Sequence, residues 1–395
     1  SKIILMKIEI PKNNILKKNQ LELCLLDIKK AKGIPSEYYT EDACLKVEQE
    51  KIFNNGWFAI GFINDLDQPG SIIPVTYFNN PMLIVRSKED NKVRVFQNVC
   101  RHRGMKLIDE PTVLKGAIRC RYHSWCYKQT GENCATPHIG GPGINFHESI
   151  DKNELNLFEV RTHIWRGVVF VNPDGNAPKF EDMHASIIKR WEIFDQELYT
   201  DQTESSFKLE LNSNWKLAVE NYLEAYHLPW VHPGLNSYSK LEDHENIVNY
   251  GNYSGQISYK YNPIFSTGKK FKDFKNLGSE WNSKGEYIVL FPNLIMGVQR
   301  DHTFNQIIEP VSSEKIIEHT QIYYSDPKML DQKYQSTRLE NAHLWKTVFE
   351  EDIFVVEGMH KGRYAKHFDG GFFSPIMDVP THVFHDWYAR KILQY

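Results

Sequence analysis

Four residues in two short clusters, Cys100-Arg101-His102 and Cys120-Arg121-Tyr122-His123, carry metal-ligand chemistry. Each cluster supplies one thiolate and one imidazole, and seventeen residues separate them. Two chemistries fit these ligands. One is a [2Fe–2S] cluster with two Cys on one iron and two His on the other, whose neutral imidazoles raise the reduction potential above that of an all-Cys cluster. The other is a structural Cys₂His₂ zinc. Zinc fingers pair C-x-x-C with H-x₃₋₅-H, whereas Cys and His alternate here, which favours the iron–sulfur reading.

A second constellation lies in Asn214–His232. The sequence predicts a helix from Trp215 to about His227, with Asn214 as N-cap accepting a first-turn N–H. On such a helix Glu220, Glu224 and His227 fall at i, i+4 and i+7 and share one face. Pro229 is expected to end the helix, and His232 returns five residues after His227. Two imidazoles, one at a helix end and one just beyond, can converge on one metal ion, with a nearby acid hydrogen-bonded to the first. The alternative is a set of ordinary polar residues on a surface helix.

The elements that would position these residues fall into two textures. From Trp57 the chain shows short β-rich runs divided by Gly, Asn, Asp and Pro: Trp57–Phe62, Met82–Arg86, Val93–Gln97, Ala117–Arg119 and Gly167–Val171. Such runs predict a small all-β domain ending near Pro173. Residues 172–178 (NPDGNAP) form the strongest linker signal. Beyond it, strands at Phe207–Leu211, Gly255–Tyr261, Tyr287–Phe291, Ile295–Gln299, Phe304–Glu309 and Ile316–Tyr324 accompany helical patterns at Lys179–Leu198 and from Pro327 or Gln332 to Met359. That arrangement predicts an α+β domain with helices on an antiparallel sheet. Residues 1–33 read as an arm or first helix, Glu41–Phe53 as a short amphipathic helix, and Lys240–Tyr250 and Thr267–Lys284 as mobile loops over a site. The expected division is an N-terminal arm with helices over 1–56, a β domain over 57–175 and an α+β domain over 176–395.

Composition sets the outer limits. At 395 residues the chain can bury two substantial cores. Net charge of −3 gives no global sign of nucleic acid or an anionic membrane as partner. No apolar run reaches the ~20 residues of a spanning helix. Four of the six Cys lie within residues 100–134 alongside His, which argues for metal before disulfides and for a cytoplasmic setting.

The run Phe96-Gln97-Asn98-Val99-Cys100-Arg101-His102-Arg103-Gly104, with Cys120-Arg121-Tyr122-His123-Ser124-Trp125, resembles the paired loops of a Rieske [2Fe–2S] domain. More narrowly it resembles those of Rieske non-haem iron oxygenase α subunits. One departure is Ser124, where the family usually has Gly. The resemblance implies a Rieske domain followed by a helix-grip (START-like) catalytic domain. It also implies that His227 and His232 hold a mononuclear Fe(II) together with an acid from a late helix: Asp352, with Glu351 and Glu357 as fallbacks. Three such ligands on one face leave positions open for O₂ and water. Glu224 would be the electron-transfer bridge between the two centres, meeting His123 or, failing that, His102 of a neighbouring copy in a homotrimer. Glu220 keeps a structural role. A Glu rather than Asp at the bridge resembles the branch that oxidises glycine betaine and carnitine.

The implied reaction consumes O₂ and electrons from a separate NAD(P)H-dependent reductase with flavin and iron–sulfur centres, since no G-x-G-x-x-G follows a strand here. The expected substrate is a quaternary ammonium or N-methyl compound, hydroxylated or oxidatively N-demethylated. Tyr222, Tyr226, Trp230 and Phe291 are candidates for an aromatic cage around its cation; the alternative for each is plain core. An aromatic acid undergoing ring hydroxylation is the second substrate reading. A non-catalytic Rieske electron carrier, or a ligand-binding protein of the same fold, is the alternative from another class.

Overall fold

Seventeen strands in three antiparallel sheets and three long helices build the chain in this computed structural model, which describes residues 17–395. The expectation for residues 1–16 lies outside the described residues. The N-terminal strands are β1 (Phe58–Phe62), β2 (Ser71–Tyr77), β3 (Asn80–Arg86), β4 (Val93–Gln97), β5 (Thr112–Val113), β6 (Ile118–Arg119), β7 (Cys126–Tyr127), β8 (Asn133–Ala135), β9 (Glu159–Trp165) and β10 (Val168–Asn172). Seven of them form one sheet in the order β1-β10-β9-β4-β3-β2-β5, and β6-β7-β8 form a small second one. Ile72, Leu83, Val85, Phe96, Ile118 and Tyr127 bury their side chains between these sheets, together with Cys100 and Cys120. Cys100 and Cys120 are thus anchored in a core.

The second half carries β11 (Ser206–Leu211), β12 (His244–Ile247), β13 (Tyr253–Ser258), β14 (Gly285–Leu290), β15 (Leu294–Gln299), β16 (His302–Ser312) and β17 (Lys315–Tyr324), ordered β11-β17-β16-β15-β14-β13-β12. Three helices pack with this sheet: α1 (Trp215–Leu223), α2 (Gln335–Gly362) and α3 (Val379–Leu393). Helix α1 is wedged against β13, β14, β16, α2 and α3, so nearly every one of its residues is buried. Such burial all round marks an interior helix. The two halves are stitched by Asn293: its Oδ1 accepts from Ala59 N–H at 3.0 Å, and its Nδ2 donates to Ala59 O and Ile308 O.

The segment before β1 is ordered by polar contacts to helices α1 and α3. Glu48, fully buried, accepts from Trp215 Nε1 at 2.8 Å and Tyr388 Oη at 2.5 Å, and pairs with the equally buried Lys216. The Tyr39 hydroxyl donates to Glu220 at 2.9 Å, and Ile34 N–H donates to His385 Nδ1 at 3.0 Å. A buried charge left without a partner is costly, so these contacts hold the segment in one place.

Several expectations need correction. The Lys179–Leu198 pattern breaks into Phe180–Met183, Ala185–Arg190 and a 3₁₀ turn at Glu192–Phe194. The two breaks free Phe180, Ile187, Trp191 and Phe194 to point separately into one core. Lys240–Tyr250, expected as a mobile loop, contains edge strand β12. Helix α1 stops at Leu223, because Glu224 is extended (φ −124°, ψ 152°). Glu220, Glu224 and His227 therefore do not share a helical face. Pro229 does not end a helix but sits in the first turn of a new one, Leu228–Val231, where its missing N–H costs nothing.

Candidate metal centres and the adjoining cavity

The two Cys-x-His-type loops are built alike. Cys100 N–H donates to Met105 O and Gly104 N–H to Cys100 O; Cys120 N–H donates to Trp125 O and Ser124 N–H to Cys120 O. In each loop the fourth residue after the cysteine has left-handed backbone, Gly104 at φ +73° and Ser124 at φ +59°. Cys100 and Cys120 are buried and their thiols face one another, while His102 and His123 are turned to the surface. The two imidazole Nδ1 atoms stand 3.1 Å apart. Two nitrogens bound to one metal at ~2.1 Å with a right angle between them would be about 3 Å apart. The donor set thus fits a cluster with thiolates inside and imidazoles outside. Tyr127 Oη accepts from Arg101 N–H at 2.9 Å, which leaves its own proton for Cys100 Sγ at 3.2 Å.

The second candidate centre gathers His227, His232 and Asp352, each offering a ligand atom within 4.8 Å of the others. Asp352 Oδ1 lies 2.9 Å from His232 Nε2 and 3.4 Å from His227 Nε2, and it is buried with no hydrogen-bond partner. Those separations match ligands on one face of a metal ion by the same arithmetic. On their far sides both rings meet carboxylates: His227 Nδ1 with Glu224 Oε1 at 2.7 Å, and His232 Nδ1 with Glu351 Oε1 at 3.2 Å. Each acid holds the proton on Nδ1 and directs the Nε2 lone pair at the centre. Burial opposes charge on His227, but Asp352 and Glu224 outweigh it and push its imidazole up to about 10. Burial likewise opposes the Asp352 carboxylate, yet the two imidazoles hold it below the usual range. The cluster demands positive charge at its middle, which a divalent cation supplies.

The fallback ligands are elsewhere. Glu351 is committed to the outer side of His232, and the Glu357 carboxylate accepts from Asn212 N–H at 3.1 Å. Glu220 is buried against Tyr39 and His385, away from this centre.

A cavity of about 50 Å³ opens beside the centre, lined by His227, His232 and Asp352 together with Tyr222, Tyr287, Trp345 and Phe349. On the same measure a water needs ~10–15 Å³. Its polar edge is Ser239, His244 and Gln256. His244 Nδ1 meets Gln256 Oε1 at 2.6 Å and its Nε2 meets Ser239 Oγ at 3.0 Å, while burial lowers its pKa and keeps the ring neutral. Of the four aromatic candidates only Tyr222 lines this cavity. Tyr226 and Trp230 lie at the surface, Trp230 at 72% exposure, because the chain leaves the helix before reaching them. Phe291 is buried in core against Phe384 and Trp387.

Tyr287, Trp345 and Phe349 were not singled out by the sequence. One signal was available: Trp345, Val348 and Phe349 precede Asp352 by seven, four and three residues, the spacing of one helical face. No such rule leads to Tyr287 or His244, which neighbouring strands bring in.

Comparison with known proteins agrees with this layout. Residues 56–147 match the Rieske [2Fe–2S] domain and residues 200–394 the ring-hydroxylating α-subunit catalytic domain. The chain is 28% identical over 352 residues to a carnitine monooxygenase oxygenase subunit of Acinetobacter pittii, covering 85% of this chain and 86% of that one. Its fold is similar to a quaternary ammonium Rieske monooxygenase solved with L-carnitine (TM-score 0.75, 23% identity, 94% and 98% coverage). It is equally similar to naphthalene 1,2-dioxygenase from Rhodococcus sp. bound to indole (TM-score 0.77, 16% identity, 95% and 98% coverage). At these identities the structural likenesses speak for the fold alone.

Proposed function

The chain belongs to the Rieske non-haem iron oxygenase α subunits, and from that premise we propose that it hydroxylates or oxidatively N-demethylates a small quaternary ammonium compound of the betaine, carnitine or choline type. The observation that carries this reading is the cavity beside His227, His232 and Asp352, walled by four aromatic rings and, among the described residues, free of Lys and Arg. Ring quadrupoles attract an onium group, and a surrounding apolar wall costs such a weakly hydrated cation little. The relatives with matching length include the carnitine monooxygenase subunit, which supports the same class.

A Rieske cluster, when bound, relays electrons, and a mononuclear iron supplies O₂ activation next to the substrate. In the proposed assignment Cys100, Cys120, His102 and His123 hold the cluster, and His227, His232 and Asp352 hold the iron. Glu224 and Glu351 fix the tautomer and orientation of the two iron imidazoles. Tyr222, Tyr287, Trp345 and Phe349 seat the onium end, and Ser239, His244 and Gln256 offer hydrogen bonds to the substrate's polar end. The same residues exclude bulk water from the reacting carbon.

The reading includes a homotrimer in which Glu224 meets His123 of a neighbouring copy, and a separate flavin- and iron–sulfur-containing reductase that oxidises NAD(P)H. A cytoplasmic location belongs to it as well, supported by six cysteines of which none is paired in a disulfide. Among the described residues no helix is long and apolar enough to cross a membrane.

The test is reductase-coupled turnover on a panel of betaines, methylamines and aromatic acids, scoring O₂ uptake, hydroxylated product and formaldehyde. Turnover of a quaternary ammonium compound is expected. Turnover of aromatic acids alone would replace the substrate class.

A further inference from the structure

Behind the aromatic wall of the cavity runs a buried chain of hydrogen bonds that leads to a carboxylate. Trp345 Nε1 donates to His302 Nε2 at 3.0 Å, and His302 Nδ1 lies 2.7 Å from Asp301 Oδ1. Trp345 is 3% exposed and His302 1%. Indole nitrogen can only donate, so His302 Nε2 must be the acceptor. The ring's proton is therefore on Nδ1 and points at Asp301. His302 is neutral, in one tautomer, for as long as Trp345 keeps this position.

Asp301 has no cation as hydrogen-bond or ion-pair partner among the described residues; the neighbouring Arg300 is committed to Asp273 at 3.6 Å and to Asn282 O at 2.7 Å. Its hydrogen-bond partner is His302, although Lys269, Lys270 and Lys284 line a second cavity on its outer side without pairing with it. In a linked series each bond polarises the next. An indole whose N–H faces a polarised acceptor retains more electron density in its rings, and the attraction of those rings for a cation grows with that density.

We propose that Asp301 and His302 are positioning residues that act through Trp345 to set the cavity's preference for a quaternary ammonium group over a neutral group of the same shape. The inference rests on the substrate class proposed above. Neither residue lines the cavity. Their hydrogen-bonded path to it runs through the indole, and His302→Leu, which keeps the Asp301 charge, separates that path from the carboxylate's direct field on Tyr287. A purely structural role would hold Trp345 in place and serve charged and neutral ligands alike.

The experiment compares dissociation constants for choline and its carbon isostere 3,3-dimethylbutan-1-ol by isothermal titration calorimetry, on the full chain with both metal centres loaded. The wild-type protein is expected to prefer choline. Asp301→Asn should reduce that preference about threefold while leaving the affinity for the isostere unchanged. His302→Leu, which removes the acceptor, should do the same, and His302→Gln, which can accept from the indole and donate to Asp301, should restore it. Should Asp301→Asn fail to fold, the His302 pair decides. An unchanged preference in the variants, or parallel weakening of both ligands, overturns the inference and leaves the substrate class standing. Equal binding of the two ligands by the wild-type protein overturns the substrate class, and the relay with it.

Discussion

Both carboxylate oxygens of Glu224 contact His227, each with a lone pair to spare: Oε1 lies 2.7 Å from the ring Nδ1, and Oε2 accepts from the backbone N–H of the same residue at 3.1 Å. The acid caps the turn that delivers the imidazole and fixes its tautomer in one contact. The backbone contact is possible only because the chain unwinds at Glu224; in a continuing helix the His227 N–H would donate to the carbonyl four residues back.

Glu224→Gln should therefore retain iron, since the amide can still accept from Nδ1–H, but lose the charge that the proposed electron path uses. Turnover is expected to fall about 10- to 100-fold, the usual cost of losing such an outer partner. Iron content and steady-state O₂ uptake, measured on the same preparation, check it. Loss of iron in step with activity would reduce Glu224 to a support for His227.

The third-ligand assignment separates two adjacent residues. Asp352→Ala should bring iron down to the cluster's share while the cluster's visible absorbance stays intact. Glu351→Gln should keep the mononuclear iron and lose activity only about 10-fold or somewhat more. Metal analysis with absorbance spectra distinguishes them. The reverse pattern would make Glu351 the ligand.

Ser124 occupies left-handed backbone at φ +59°, whereas its counterpart in the twin loop is Gly104. Left-handed backbone costs an ordinary L-residue roughly 1–2 kcal/mol, offset in part by the greater unfolded-state freedom of glycine. Ser124→Gly is expected to stabilise the cluster loop by up to about 1 kcal/mol. Slower thermal bleaching of the cluster would show it; faster bleaching would mean that the serine hydroxyl matters more than the strain.

Tyr127 directs its hydroxyl proton at Cys100 Sγ, 3.2 Å away. Hydrogen bonds to cluster sulfurs favour the reduced state, which carries more negative charge. Tyr127→Phe is expected to lower the cluster's reduction potential by about 40 mV, a neutral bond of ~1 kcal/mol expressed for one electron. Spectroelectrochemical titration measures the shift, and an unchanged potential would remove the hydroxyl from the cluster's tuning.

Much of the site was legible because its ligands are short-range patterns. Cys100-x-His102 and Cys120-x-x-His123 sit on loops whose backbone bonds close within five residues, so spacing alone describes them. His227 and His232 are equally close in sequence. The helix expected from Trp215 to about His227 ends instead at Leu223, because helix propensity carries no record of a carboxylate turning back onto a histidine ring.

Resemblance to the family, not periodicity, pointed to Asp352 ahead of Glu351 and Glu357; the amino-acid sequence by itself determined the β-rich first half, the antiparallel sheet with long helices in the second and the two clusters of candidate ligands. These follow from residue type and local periodicity, which act over a few residues. Only the tertiary structure decided what surrounds the candidate metal centre. It placed Tyr287 and His244 in the cavity, sent Trp230 to the surface and Phe291 into core, and set Asp301 and His302 behind Trp345. The physical reason is that a cavity wall is made by elements far apart in the chain. Which aromatic ring reaches it depends on strand order and on where α1 stops, and neither is a property of the neighbouring residues alone.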